Sequence, residues 1–128
     1  MNLAESELIS FFKHNGIKYR AEDGGYAFVM SQLGCKWKTV CRFTDNAVMF
    51  YGMYPFHVNA ADEALALINA INGEVVRGAF FLKDNVVVMR TSTVLCDIYT
   101  AFEEITVALE YNAGYVAHFW ARLMVLQR

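Results

Sequence analysis

Little in this chain would divide it or cross-link it. It holds one proline in 128 residues and no Pro/Gly/Ser-rich tract, which leaves no place for an interdomain linker. Residues 1–128 therefore read as a single continuous domain. The three cysteines, Cys35, Cys41 and Cys96, are an odd count without a C-x-x-C pair. That argues against both a disulfide framework and a zinc site, and the cytoplasm is the expected compartment. Charge is scarce as well, at 19% of residues against about 25% in an average soluble domain. Eleven basic and thirteen acidic residues give a net charge of −2, with no basic cluster denser than Lys36 and Lys38, so no nucleic-acid partner is expected. The opening residues Met1 to Glu7 carry acid where a signal peptide carries base and read as mature protein. The most apolar long window, Val107 to Leu126, is interrupted by Glu110, Asn112, His118 and Arg122, so no membrane partner is expected either.

What the chain does have is hydrophobic residues, 56% of the total. That is the reverse of a disordered composition and ample for a self-sufficient core. Asn2 with Glu5 three residues later resembles a capping box, followed by Leu8, Ile9, Phe11 and Phe12 at helical spacing; Asn15-Gly16 ends that helix. Ile17 to Glu22 and Tyr26 to Leu33 flank Asp23-Gly24-Gly25, a hairpin signal. From Cys35 to Thr44 the residues Cys35, Trp37, Thr39, Cys41 and Phe43 alternate with Lys36, Lys38, Val40, Arg42 and Thr44, which buries one face of a strand and wets the other. Asp45-Asn46 turns the chain into a fourth strand, Ala47 to Tyr54. Asn59 is the expected cap of a second helix reaching Ile71, with Ala61, Ala64, Leu65, Ile68 and Ile71 on its inner side. A hairpin, Val75 to Lys83 and Val86 to Leu95, turns at Asp84-Asn85. Asp97 to Gln127 then forms one long helix or two short ones, with Gly114 the expected weak point.

The motif Phe43-Thr44-Asp45-Asn46-Ala47-Val48-Met49 is echoed by Leu82-Lys83-Asp84-Asn85-Val86-Val87-Val88. Asp-Asn suits any tight turn, so the echo reads as turn chemistry, not duplication. The order helix, strand meander, helix, hairpin Phe81 to Val88 and long terminal helix resembles the YbjN-type domains, which share their architecture with the class I chaperones of type III secretion. The resemblance implies an α+β fold of order α-ββββ-α-ββ-α, with an antiparallel sheet of meander plus hairpin packed against three helices. It also implies a homodimer that binds protein in a chaperone-like or regulatory role, with no cofactor and no catalytic residue to carry over.

No chemical constellation competes with that reading. Cys41 and His57 could form a thiolate pair only if they met, and Cys41 sits in the buried alternation. His14, His57 and His118 lack metal-ligand spacing, so no metal is expected. The acidic pairs Asp62-Glu63 and Glu103-Glu104 fall in first helical turns, where carboxylates meet the positive dipole end, and Glu22-Asp23 adjoins a turn. Gly24-Gly25 lacks the context of a phosphate-binding loop. The strand from Ala47 is apolar on both faces, Val48, Phe50 and Tyr54 opposing Met49, Tyr51 and Met53, and a sheet-and-helix domain covers one face only. The terminal helix is likewise apolar over more than one side. That surplus must be covered by an internal helix, a second subunit or a peptide ligand, and Met49, Tyr51, Met53, Tyr54, Phe56, Tyr115 and Trp120 are the candidate contact surface for the latter two. The rival is a small-molecule or enzymatic pocket between the sheet and the terminal helix, using Tyr26, Tyr51, His57 or Arg77. A purely structural subunit of a larger complex is a third option.

Overall fold

The computed structural model describes residues 2–127. The element order is α1 (Leu3–His14), β1 (Arg20–Glu22), β2 (Gly25–Gln32), β3 (Cys35–Phe43), β4 (Ala47–Met53), α2 (Ala61–Asn72), β5 (Ala79–Lys83), β6 (Val86–Val94), α3 (Ala101–His118) and α4 (Trp120–Met124). The strands form one antiparallel sheet in the order β1-β2-β3-β4-β6-β5. The expected order is thus present, with the terminal helical segment split in two.

Local chemistry explains the boundaries. Asn2 caps α1 by accepting from the Glu5 N–H at 2.8 Å, as expected. Gly16, at φ +64°, ends it, with Ile17 N–H donating to the Phe12 carbonyl at 2.9 Å and Gly16 N–H to that of Lys13 at 3.3 Å, the paired bonds of a Schellman stop. This stop draws Ile17 and Tyr19 onto α1, where Tyr19 stacks on Phe12 at 4.7 Å, so β1 begins at Arg20 and not at Ile17. Three hairpins close through two residues with positive φ, Asp23-Gly24, Leu33-Gly34 and Asp84-Asn85, the geometry whose twist matches the flanking strands. Before β5, Gly78 at φ +88° interrupts the extended chain, and strand pairing starts at Ala79 instead of Val75.

Two expectations about the helices are corrected. Asn59 does not cap α2. Its backbone N–H donates to the Leu126 carbonyl at 2.9 Å, which ties the segment to the C-terminal residues, and Ala60 occupies the cap position without a side-chain bond. On α2 the buried stripe is Ala64, Ile68 and Ile71; Ala61 and Leu65 are exposed. Gly114 does not break the terminal helix. The break falls at Phe119, whose side chain is buried edge-on against Phe80 at 5.6 Å, and that insertion redirects the chain into α4.

All helices pack on one face of the sheet. Strand register places Phe28, Thr39, Gly52, Met89 and Phe80 in one row across five strands, and every member of the row is buried. On this face α1 and the first half of α3 enclose Phe12, Phe28, Cys41, Val48, Phe50 and Ile105. The second half of α3, with α2 and α4, encloses Trp37, Tyr54, Ile68, Phe80, Val116 and Phe119. α3 is the spine common to both halves. No helix among the described residues is long and apolar enough to cross a membrane.

Candidate functional site on the open face of the sheet

The other face of the sheet carries no helix among the described residues, and the alternation of β3 decides what it presents. Lys36, Lys38, Val40 and Arg42 point there because Trp37, Thr39 and Cys41 point into the core. Register adds Arg20 from β1, Tyr51 and Met53 from β4, Arg90 and Val88 from β6, and Phe81 and Lys83 from β5. Six of the eleven basic residues thereby share one face. Glu22 is the single acid carried by any strand among the described residues. The basic face was hidden in the sequence because its members come from four different strands. The one legible part was the Lys36, Lys38, Arg42 alternation.

At the centre lies a depression of about 330 Å³ whose lining includes Val40, Tyr51, Met53, Phe81 and Val88. Val40 and Val88 form its floor, exposed by only 9% and 2% because longer neighbours lean over them. Tyr51 meets the Phe81 ring at 6.4 Å and 88°, and the Arg90 guanidinium stands over the Tyr51 ring at 5.9 Å, a cation–π contact. On the β3 side, Lys38 donates to a Glu22 carboxylate oxygen at 2.6 Å, Arg20 lies 3.6 Å from the other oxygen, and Arg42 donates to the Glu22 carbonyl at 3.0 Å. The hydrogen bond from Lys38 holds the Glu22 carboxyl below the usual carboxylate range.

The candidate contact residues divide between the two faces. Met49, Tyr51 and Met53 lie half-buried on the open face. Tyr54 and Phe56 are core residues instead, 2% and 7% exposed, and Tyr54 donates its hydroxyl to the Val116 carbonyl at 2.7 Å. Burial drives its phenol well above the ordinary tyrosine range. Tyr115 and Trp120 sit on the helical side, half-buried, where Trp120 packs on Tyr54 at 5.2 Å and on Trp37 at 6.1 Å. Sequence periodicity registered their apolar character, but not that the helices would use it internally.

The rival pocket between sheet and terminal helix is filled by core side chains, and its four polar residues do not converge. Tyr26 donates to Glu5 at 2.7 Å on the α1 side, Tyr51 is on the opposite face, His57 is exposed in a loop, and Arg77 donates to the Ser92 carbonyl at 2.8 Å. Cys41 and His57 do not pair either. The Cys41 thiol donates to the Tyr26 carbonyl, and burial pushes it up to about 12, the reverse of an activated nucleophile. Among the described residues, no group of three His, Cys, Asp or Glu side chains is placed to hold a metal.

One internal polar knot escaped the sequence reading. The Asn112 amide nitrogen on α3 donates to the carbonyls of Phe50 at 3.0 Å and Met89 at 2.9 Å and to the Thr91 hydroxyl at 3.3 Å. It thereby fastens the helix across β4 and β6. Gly52 makes the approach possible, since a Cβ there would lie 2.5 Å from the Asn112 side-chain oxygen.

With this geometry in place, the class of fold is plain: α+β, a six-stranded antiparallel sheet with its helices gathered on one side. The fold is of YbjN type. The crystal structure of YbjN from E. coli, described as a candidate transcription regulator, matches with a TM-score of 0.70 over 95% of this chain and 96% of that one, at 16% sequence identity. No family model matches the chain, and no curated protein does.

Proposed function

We propose that this chain is a non-enzymatic regulatory module that binds a protein segment, in a chaperone-like manner, on the open face of its sheet. The observation that carries the reading is the uncovered face itself: a half-exposed apolar centre at Tyr51, Met53 and Phe81, framed by long cations. A two-layer domain ordinarily turns its polar side outward; here the outward side keeps aromatic and methionine contacts suited to an adaptable interface. The depression offers little for catalysis. Its lining residues include one carboxylate, already in an ion pair, and neither imidazole nor thiol. The description of YbjN as a candidate transcription regulator is in keeping with a regulatory binder. Three free cysteines suit a reducing compartment such as the cytoplasm.

The test is an immobilised array of random peptides probed with the intact chain and with Tyr51→Ala/Phe81→Ala. Segments retained by the parent and released by the variant, at equal melting temperature, support the reading. Equal retention by both defeats it.

A homodimer belongs to the same proposal, through the helical side. Six like charges oppose packing the open face on its own copy, because an isologous contact sets each patch against itself. On α3, Val107 and Tyr111, one turn apart, are 39% and 38% exposed, and pairing there leaves both open faces free. Light scattering should find a dimer that Val107→Glu/Tyr111→Glu converts to monomer; a monomeric parent chain would exclude it.

A further inference from the structure

We infer that the occupant of the open face is an extended peptide segment in which three or four apolar residues lie between acidic ones, crossing the strands. The inference rests on the reading of this face as a protein-binding surface and supplies the chemistry of the partner. Two cationic sides flank the apolar centre, Arg42 on β3 at one side, with Lys38 beside it already paired to Glu22, and Arg90 on β6 and Lys83 on β5 at the other. Adjacent strands lie about 4.8 Å apart, so the groups stand two to three spacings, about 10–14 Å, from each other. An extended chain covers that distance in about three or four residues. A segment of this form would set its apolar side chains over Tyr51, Met53 and Phe81 while its carboxylates reach Arg42 on one side and Lys83 or Arg90 on the other.

The charge pattern favours this occupant over the alternatives. Lys83 and Arg90 have no carboxylate within ion-pair distance among the described residues, and Arg42 is bonded to a neutral carbonyl. A second copy docked by its own open face would bring further cations against these. A polynucleotide needs a continuous cationic track along its backbone. Here the β3 row is interrupted by Val40, and the Glu22 carboxylate stands at Lys38, where it would repel a phosphate. Discrete carboxylates can avoid Glu22; a regularly spaced phosphate backbone cannot.

The probe is a fluorescein-labelled peptide, Glu-Glu-Leu-Phe-Leu-Glu-Glu, titrated with the intact chain at low salt and followed by fluorescence anisotropy. We expect saturable binding, weakened about tenfold when Gln replaces every Glu, when salt is raised, or when the chain carries Lys83→Glu/Arg90→Glu with unchanged circular dichroism. If the Gln peptide binds as well as the acidic one and Tyr51→Ala still abolishes binding, the acidic requirement falls while the protein-binding surface stands. Binding that ignores both Tyr51→Ala and the charge reversals, or no binding of either peptide, overturns both. Tighter binding of an oligothymidylate, lost on charge reversal, overturns the proposal in favour of nucleic acid.

Discussion

At Gly52 one added carbon would meet the Asn112 side-chain oxygen at 2.5 Å and a Val116 methyl at 2.9 Å. Gly52→Ala should therefore destabilise the chain by about 1–3 kcal/mol through overpacking, measurable as a lower urea midpoint. Asn112→Asp should be worse than Asn112→Ala, because it turns a carboxylate toward the carbonyls of Phe50 and Met89, which now accept from the amide. Leu33 points the other way. It is 81% exposed and held at φ +52°, where a branched side chain is strained, so Leu33→Asn should raise stability by about 1 kcal/mol. The thiols provide a pH readout. Burial raises the Cys41 thiol from its ordinary 9 to about 12, so the unfolded chain loses this proton near pH 9 while the folded chain retains it. Stability present below pH 9 is then lost as pH rises from 9 to 12, and Cys41→Ala should flatten that decline in urea titrations. Thiol labelling of the folded chain should reach the exposed Cys96 first and Cys41 only on unfolding.

Among the elements, those with strong local signals were legible in advance. The α1 cap at Asn2, its stop at Gly16 and the turns Asp23-Gly24 and Asp84-Asn85 are governed by residues within a few positions of each other. The errors fall where a distant partner decides. Asn59 has the chemistry of a cap, but residues near Leu126 claim its backbone. Gly114 has the weaker helix propensity, but it sits on the outer side of α3 with open space around it, while Phe119 is drawn into the core. Phe119→Ala should accordingly cost about 3–5 kcal/mol, whereas Gly114→Ala should be neutral or stabilising by up to about 1 kcal/mol. Thermal melts of the two variants separate these explanations.

Across the whole molecule, a net charge of −2 conceals a division between a basic open sheet and the helices and loops that carry nearly all the acids. A linear count of basic residues missed it, because on that face Arg42 and Lys38 neighbour Met49 and Met53 of β4, and the next cations, Arg90 and Lys83, arrive only with β6 and β5. The apolar surplus had a related fate. Tyr54, Phe56 and much of the Trp120 surface serve the core, and of the candidate contact residues on β4 only Met49, Tyr51 and Met53 are left half-buried on the open face.

The sheet order has a consequence for how the chain is assembled. Every strand pairs with its neighbour in sequence except at β4 and β6, since β5 is delivered by α2 to the far edge and β6 returns between. During synthesis the β1 to β4 meander can form while β4 still presents an unpaired edge, and that edge stays open until β6 has left the ribosome; α3, with Asn112, then fastens the joint. A chain stalled before β6 would expose the Phe50 strand as a template for another copy, so the β4–β6 joint that Asn112 later fastens is also where domain swapping and aggregation would begin.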